Sequence, residues 1–300
     1  MATPWAQWQW NFRWALWPAY LGNYARFLFL HQPGNPYRFD RLTCGPLIRH
    51  WFGSPMHLYL GHFWSLCVEE QFYLVWPLVV YTVRKRETLI RICIAVVLAA
   101  PIVRWCLTTV LSPQTLGMEL LYRSTPTRID ALLIGGLVAL GLRGPEKQWL
   151  QRARHALLAI SATLFVIVYL IAVNLYKLPY QGSATDWVGI FGFTLIDLFA
   201  AALILETIHP GSWWTRLLSR KGLRNFGVIS YGFYVYHDLL HDLYSYIANR
   251  FFHHYASWLT IVLAFFASWL IAWLSYRILE SPMLKLKDRF THQTHKAPQA

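Results

Sequence analysis

The sequence predicts an all-α fold: a polytopic transmembrane helix bundle of about eight spans. Three observations predict it. Of the 300 residues, 56% are apolar and only 14% charged, against about 25% charged in an ordinary soluble chain. Apolar stretches approaching the ~20 residues needed to cross a bilayer recur along the whole length. Backbone groups in lipid must satisfy one another, so such stretches become helices. Basic residues, finally, alternate from one connection to the next.

The spans fall near 12–30, 63–83, 89–111, 128–142, 155–177, 187–207, 227–248 and 256–279. Residues 1–290 therefore read as a single integral membrane domain, and 291–300 as a disordered tail. Segments 84–91, 143–155, 208–226 and 281–300 hold sixteen Lys or Arg in 60 residues; the alternate segments 31–62, 112–127, 178–186 and 249–255 hold five in 64. The positive-inside rule places the basic set, and with an even span count both termini, in the cytoplasm. The net charge of +13 is thus spent on short topogenic loops. That argues against a nucleic-acid partner and for a lipid bilayer with some anionic headgroups.

Met1 to Trp10 lacks a charged segment followed by an apolar core, so it does not read as a cleavable signal peptide. Trp5, Trp8, Trp10 and Trp14 suit a membrane interface. Cys44, Cys67, Cys93 and Cys106 form no C-x-x-C pair and read as small apolar fillers; a Cys44–Cys67 disulfide is compatible with the sequence but not required by it. The 32-residue loop 31–62 is long enough to suggest a functional or capping role.

Ionisable groups within spans cost roughly 2.5–3.5 kcal/mol each on insertion scales and mark candidate sites. The first lies in His62-Phe63-Trp64-Ser65-Leu66-Cys67-Val68-Glu69-Glu70-Gln71-Phe72-Tyr73. Helical spacing puts Ser65, Glu69, Phe72, Tyr73 and Trp76 on one face. A carboxylate beside aromatic walls suits a sugar, and Glu69 or His62 could take a proton from its hydroxyl. The bland alternative makes Ser65 a helix cap. The second is Ser124-Thr125-Pro126-Thr127-Arg128-Ile129-Asp130, where Arg128 could snorkel outward and Asp130 needs a partner if buried. The third is Tyr231-Gly232-Phe233-Tyr234-Val235-Tyr236-His237-Asp238 with His241 and Asp242. Its two histidines at i, i+4 fall short of a metal site because no third ligand is evident. The fourth is Ser275-Tyr276-Arg277-Ile278-Leu279-Glu280-Ser281-Pro282, where Arg277 and Glu280 can pair and Pro282 ends the helix.

Together these four blocks resemble the acyltransferase-3 family of membrane O-acyltransferases, from roughly Arg13 to Leu286. The most specific stretch runs from His62 through Trp64, Ser65, Val68, Glu69, Glu70, Gln71, Phe72 and Tyr73 to Trp76, Pro77 and Leu78. The resemblance implies transfer of an acyl group, often acetyl, from cytoplasmic acyl-CoA (acetyl-CoA) to a hydroxyl of a surface sugar or glycolipid. It implies residence in the bacterial cytoplasmic (inner) membrane, with acyl-CoA as a donor substrate and no bound cofactor. It also implies about ten helices, of which the first two are not represented here. The family's leading helix carries an Arg followed eleven residues later by a His regarded as the catalytic base; the eleventh residue after Arg13 is Tyr24. An Arg-x-x-Arg segment linked to the donor is reduced, near Pro18, to Arg13. The candidate catalytic residues are therefore His62, Glu69 and His237. Candidate substrate-binding residues are Trp64, Ser65, Glu70, Tyr73, Arg128, Asp130 and Tyr236, and no metal is expected. The alternatives are a non-catalytic remnant of the family acting as a membrane partner or scaffold, and a proton-coupled transporter using His237, Asp238, His241 and Asp242.

Overall fold

The computed structural model describes residues 41–43, 57–110, 116–176, 188–251 and 256–286. The 12–30 span, the interfacial tryptophans, Cys44 and the 291–300 tail lie outside them. The described chain is helical apart from one antiparallel pair within the long loop: β1 (Arg41–Thr43) and β2 (His57–Tyr59), with Leu42 opposite Leu58. Among the described residues, five segments are long and apolar enough to cross a membrane: Arg86–Val110, Leu120–Leu142, Lys147–Ile171, Gly189–Ile208 and Trp258–Leu286. Their apolar side chains face outward. Leu98, Ile102, Ile261 and Phe266 are all more than half exposed, a surface that water would not tolerate and lipid does. This is a multi-pass helical membrane protein.

The chain sorts into two compact units. The first contains α1 (Trp64–Thr82), α2 (Arg86–Val110), α3 (Leu116–Arg123), α4 (Thr125–Leu142), α5 (Lys147–Tyr176), α6 (Phe193–Ile208) and the short α7 (Trp213–Leu218). Its core is nucleated by Phe72 of α1, Cys93 of α2 and Leu133 of α4, with Trp76, Val97 and Ile129 packed around them. Cys93 is fully buried there as an apolar filler. A π-helical turn, Val188–Gly192, leads into α6. Helix α1 starts at Trp64 with Phe63 at the cap position and no side-chain capping bond. Ser65 therefore sits inside the first turn, and the alternative in which it caps the helix is corrected.

The second unit contains the β pair, the 3₁₀ turn Gly61–Phe63 as far as His62, α8 (Lys221–Leu239), α9 (His241–Phe251) and α10 (Ala256–Ser275). Helices α8 and α9 both pack on α10. Gly232 of α8 lies so close to Ala272 of α10 that an added Cβ would meet its Cβ at 3.3 Å. Small residues allow such close packing where no hydrophobic effect drives helices together. The expected 227–248 span is two helices rather than one: Leu240 leaves the helical region with ψ 24. The polar His241 and Asp242 find partners at the break, His241 against Tyr59 of β2 and in an ion pair with Asp242 at 3.8 Å.

A second π-helical turn, Tyr276–Glu280, corrects two expectations about the fourth block. Its wider winding sends Arg277 back over the Trp273 ring at 4.3 Å, and no Arg277–Glu280 ion pair forms. Helix resumes over residues 281–286, so Pro282 does not end it. Pro is tolerated near the start of a helical segment, where its missing N–H costs little.

Candidate functional site

In the first unit a buried charge cluster joins α2, α4 and α6. Arg104 and Asp130 are both fully buried. The guanidinium gives Nη2 to both carboxylate oxygens at 2.7 and 2.6 Å, and Nε to the Thr127 carbonyl at 2.8 Å. Its Nη1 reaches Ile190 O at 3.0 Å and Thr194 Oγ1 at 2.8 Å, and Thr194 in turn donates to Asp130 Oδ2 at 2.6 Å. Every face of the guanidinium is occupied, which is the condition under which a buried ion pair survives. The Ile190 carbonyl is presented from the π turn before α6. Sequence reasoning anticipated that Asp130 needs a partner but overlooked Arg104. Its signal was there: an arginine inside an apolar span.

Arg128 is different. Its guanidinium lies 4.0 Å from the Phe193 ring centre, with Trp64 at 5.5 Å and Tyr122 at 5.9 Å. Cation–π contacts of this kind hold a guanidinium in place without using its N–H groups. Arg128 Nη1 is buried with no hydrogen-bond partner among the described residues, and so is Asp197 Oδ2, one turn along α6 from Phe193. The two groups act on one another through charge without forming an ion pair. Asp197 is a second intramembrane ionisable residue that sequence reasoning passed over.

On α1, the predicted face is only partly realised. Phe72 is buried and stacks on Trp76 at 5.5 Å, whereas Tyr73 is 56% exposed and Glu70 is exposed. Glu69 and Ser65 are half-buried. Among the described residues nothing bonds the Glu69 carboxylate. Of the substrate-binding candidates, the structure gathers Trp64, Arg128 and Asp130 in one neighbourhood and leaves Tyr73 and Glu70 on the surface.

The second unit has its own cluster. His237 Nδ1 lies 2.5 Å from the Tyr234 carbonyl one turn back, so it donates and Nε2 carries the lone pair. The His62 ring packs edge-on against His237 with centres 5.1 Å apart. His62 Nε2 donates to Val235 O at 3.1 Å, Asp238 Oδ2 lies 3.7 Å from its Nδ1, and Tyr234 Oη donates to the His62 carbonyl. Burial, joined by the neighbouring His237, pushes the His62 imidazole down to about 4, although Asp238 and the Val235 carbonyl pull the other way. His62 is thus neutral at physiological pH. Tyr236 is held in the helix packing: its hydroxyl donates to Ser275 at 3.3 Å and its carbonyl accepts from Tyr244. The break at Leu240 separates His237 from His241. Among the described residues no group of three metal-ligating side chains occurs.

These features, a lipid-facing helix bundle with buried arginine, carboxylate and imidazole groups, define a polytopic membrane protein with polar chemistry inside it. The chain belongs to the acyltransferase-3 family, whose acyltransferase-domain model matches residues 2–277. It is 29% identical over 245 residues to the peptidoglycan O-acetyltransferase OatA of Listeria monocytogenes, covering 78% of this chain and 36% of that protein. It is 30% identical over 247 residues to YrhL of Bacillus subtilis, provisionally named as a peptidoglycan O-acetyltransferase, covering 77% and 35%. A provisionally named O-acetyltransferase of Staphylococcus aureus is 26% identical over 236 residues, covering 75% and 36%. The chain thus spans about a third of the length of these relatives. No solved structure matches it.

Proposed function

We propose that this chain is the acyl-transferring membrane part of a bacterial O-acetyltransferase. It moves acetyl from cytoplasmic acetyl-CoA to a hydroxyl of a cell-envelope glycan, with peptidoglycan the acceptor that the relatives' names favour. The observation carrying this reading is the His237 imidazole, whose Nδ1–H is tied to a backbone carbonyl so that Nε2 faces its surroundings as a base. In the reaction the acceptor oxygen attacks the thioester carbonyl carbon, the carbon–sulfur bond breaks, and the hydroxyl proton passes through Nε2 to the departing thiolate. The products are the glycan O-acetyl ester and CoA. The edge-on His62, neutral, supports the His237 ring, and Asp238 balances the positive charge when Nε2 is protonated.

In the first unit, the unsatisfied Nη1 of Arg128 is a donor suited to a carbonyl or carboxylate oxygen. Arg104 and Asp130 hold the segment that carries it. The residence is the cytoplasmic membrane, with the basic loops inside.

The test is mass analysis of glycan from a strain lacking the gene, complemented with wild type or His237→Gln. Acetyl-sized increments restored by wild type alone support the reading. Equal restoration by both removes His237 from the chemistry, and intact acetylation in the deletion strain removes the function.

A further inference from the structure

A cavity of about 400 Å³ lies in the first unit where the end of α6 turns into α7 and meets the start of α5. It is independent of the groups discussed so far, and neither the motifs nor the relatives' names assign it a role. Arg154, His155, Glu206, His209, Trp213 and Trp214 line it. Its size falls within the roughly 300–1,000 Å³ of small-molecule sites.

The walls are unusual for a cavity in a lipid-facing bundle. The Glu206 side chain is 1% exposed; Arg154 Nε stands 3.5 Å from its Oε2 and His155 Nδ1 2.5 Å from its Oε1, both as ion pairs off the hydrogen-bond line. Only Ser212 Oγ bonds the carboxylate, at 3.3 Å. Arg154 Nε and Glu206 Oε1 thus have charged neighbours but no aligned hydrogen bond, and His209 Nδ1 is buried beside them with no hydrogen-bond partner among the described residues. A buried polar atom left unmatched costs about 1–3 kcal/mol, so His209 Nδ1, on a void that also holds this loosely bonded ion pair, points to something that matches it. Gly211, at φ +88, makes the left-handed turn that brings Ser212 and the two indoles back over the cavity. Trp213 and Trp214 meet edge to face, 4.8 Å apart at 76°, so they form a corner with a flat wall. Trp213 is 59% exposed and open to a ligand.

We propose that this cavity binds an aminopurine ring, the adenine of a nucleotide. The complementarity is atomic. A flat ring stacks on one indole and abuts the other; its exocyclic amine donates to Glu206; its ring nitrogens accept from Arg154 Nε or His209. A phosphate alone fits poorly, because the buried Glu206 would repel it. The phosphates of a nucleotide instead lie outward, where Lys147, Arg152 and Arg216 stand exposed. The cavity is built from two of the segments, 143–155 and 208–226, whose basic charge assigns them to the cytoplasm. On the reading proposed above, the nucleotide is the adenosine end of the acyl-CoA donor, and that identity rests on that reading.

The experiment uses the full chain purified in nanodiscs, measuring equilibrium binding of CoA, adenosine 3′,5′-bisphosphate, 4′-phosphopantetheine and N-acetylglucosamine. CoA and the bisphosphate are expected to compete for one site that phosphopantetheine and the sugar do not enter. Trp213→Ala and His209→Ala are expected to weaken both nucleotides at least tenfold, the scale of a lost aromatic stack, and Trp213→Phe to restore binding. Trp213 lies at the surface, so its replacement spares the fold; elution of each variant as a single folded species checks this. Undiminished CoA binding in both alanine variants, or displacement of the bisphosphate by N-acetylglucosamine or anionic lipid, overturns the proposal. The two readings fail separately. Acetyl transfer from acetyl-CoA with an unchanged KM in Trp213→Ala sinks the adenine site and leaves the donor standing. Tight bisphosphate binding at the cavity without any transfer from acetyl-CoA does the reverse.

Discussion

Arg104 and His237 each place ionisable nitrogen among apolar helices, and the two neighbourhoods are finished to different degrees. Around Arg104 all guanidinium nitrogens and both Asp130 oxygens are bonded. Around His237 one nitrogen is committed to a carbonyl and the other is not. A saturated cluster has no valence left for a substrate and can only hold the fold, whereas a half-satisfied imidazole has capacity to exchange a proton. The difference separates structural from chemical polarity in a chain where both look alike as sequence.

That contrast can be broken from either side. The largest expected effect is on stability. Arg104→Leu strands the fully buried Asp130 and should cost about 3–5 kcal/mol, read as a lower unfolding midpoint of the purified protein, while the Arg104→Leu/Asp130→Leu double variant loses less than either single change. A double variant as unstable as the sum would show that the two groups are not a self-contained pair. Next comes His237→Gln, which should reduce acetyl transfer by about 10²–10⁴-fold, the usual worth of a general base, with the unfolding midpoint unmoved. A parallel loss of stability would move His237 into the structural class.

A smaller effect concerns pH. His62 is held neutral, its folded value of about 4 lying below the ordinary 6.5 because burial disfavours its charged form. The stability it contributes is fully present above pH 6.5 and is lost as pH falls from there through about 4. The unfolding midpoint should therefore fall in that window, and His62→Gln should flatten the fall; an identical profile in the variant would refute the assignment. The least effect is expected at the surface. Glu146 titrates below the usual carboxylate range because of its hydrogen bond from Arg86, yet it is exposed, and Glu146→Gln should leave the midpoint unchanged. Arg86→Gln should do more, since Arg86 also donates to the Leu140 carbonyl at 3.1 Å.

Much of the architecture was legible in the chain. Apolar length alone located the helices that are long and apolar enough to cross a membrane, because in lipid a long apolar stretch has one conformation available to it. The family motifs led to His62, Arg128, Asp130 and His237. What sequence could not supply was partnership. Arg104 lies 26 residues from Asp130, and Asp197 lies 69 from Arg128, so no local spacing rule relates them. Periodicity put Tyr73 with Glu69 and Phe72 on α1, but which side of a helix faces protein and which faces lipid is set by the neighbours, and Tyr73 turned outward. The break at Leu240 was hidden too: neither proline nor glycine stands between His237 and Asp242 to mark it.

The wide turn at Val188–Gly192 acts as a rotational shim for the helix after it. Each residue of an α-helix advances about 100° around its axis, so removing one residue from this turn would swing Phe193, Thr194 and Asp197 by more than a quarter revolution. Arg104 would lose the Ile190 and Thr194 oxygens together, and Arg128 its closest ring. The azimuth of α6, and with it the whole electrostatic interior of the first unit, depends on those five residues keeping their count.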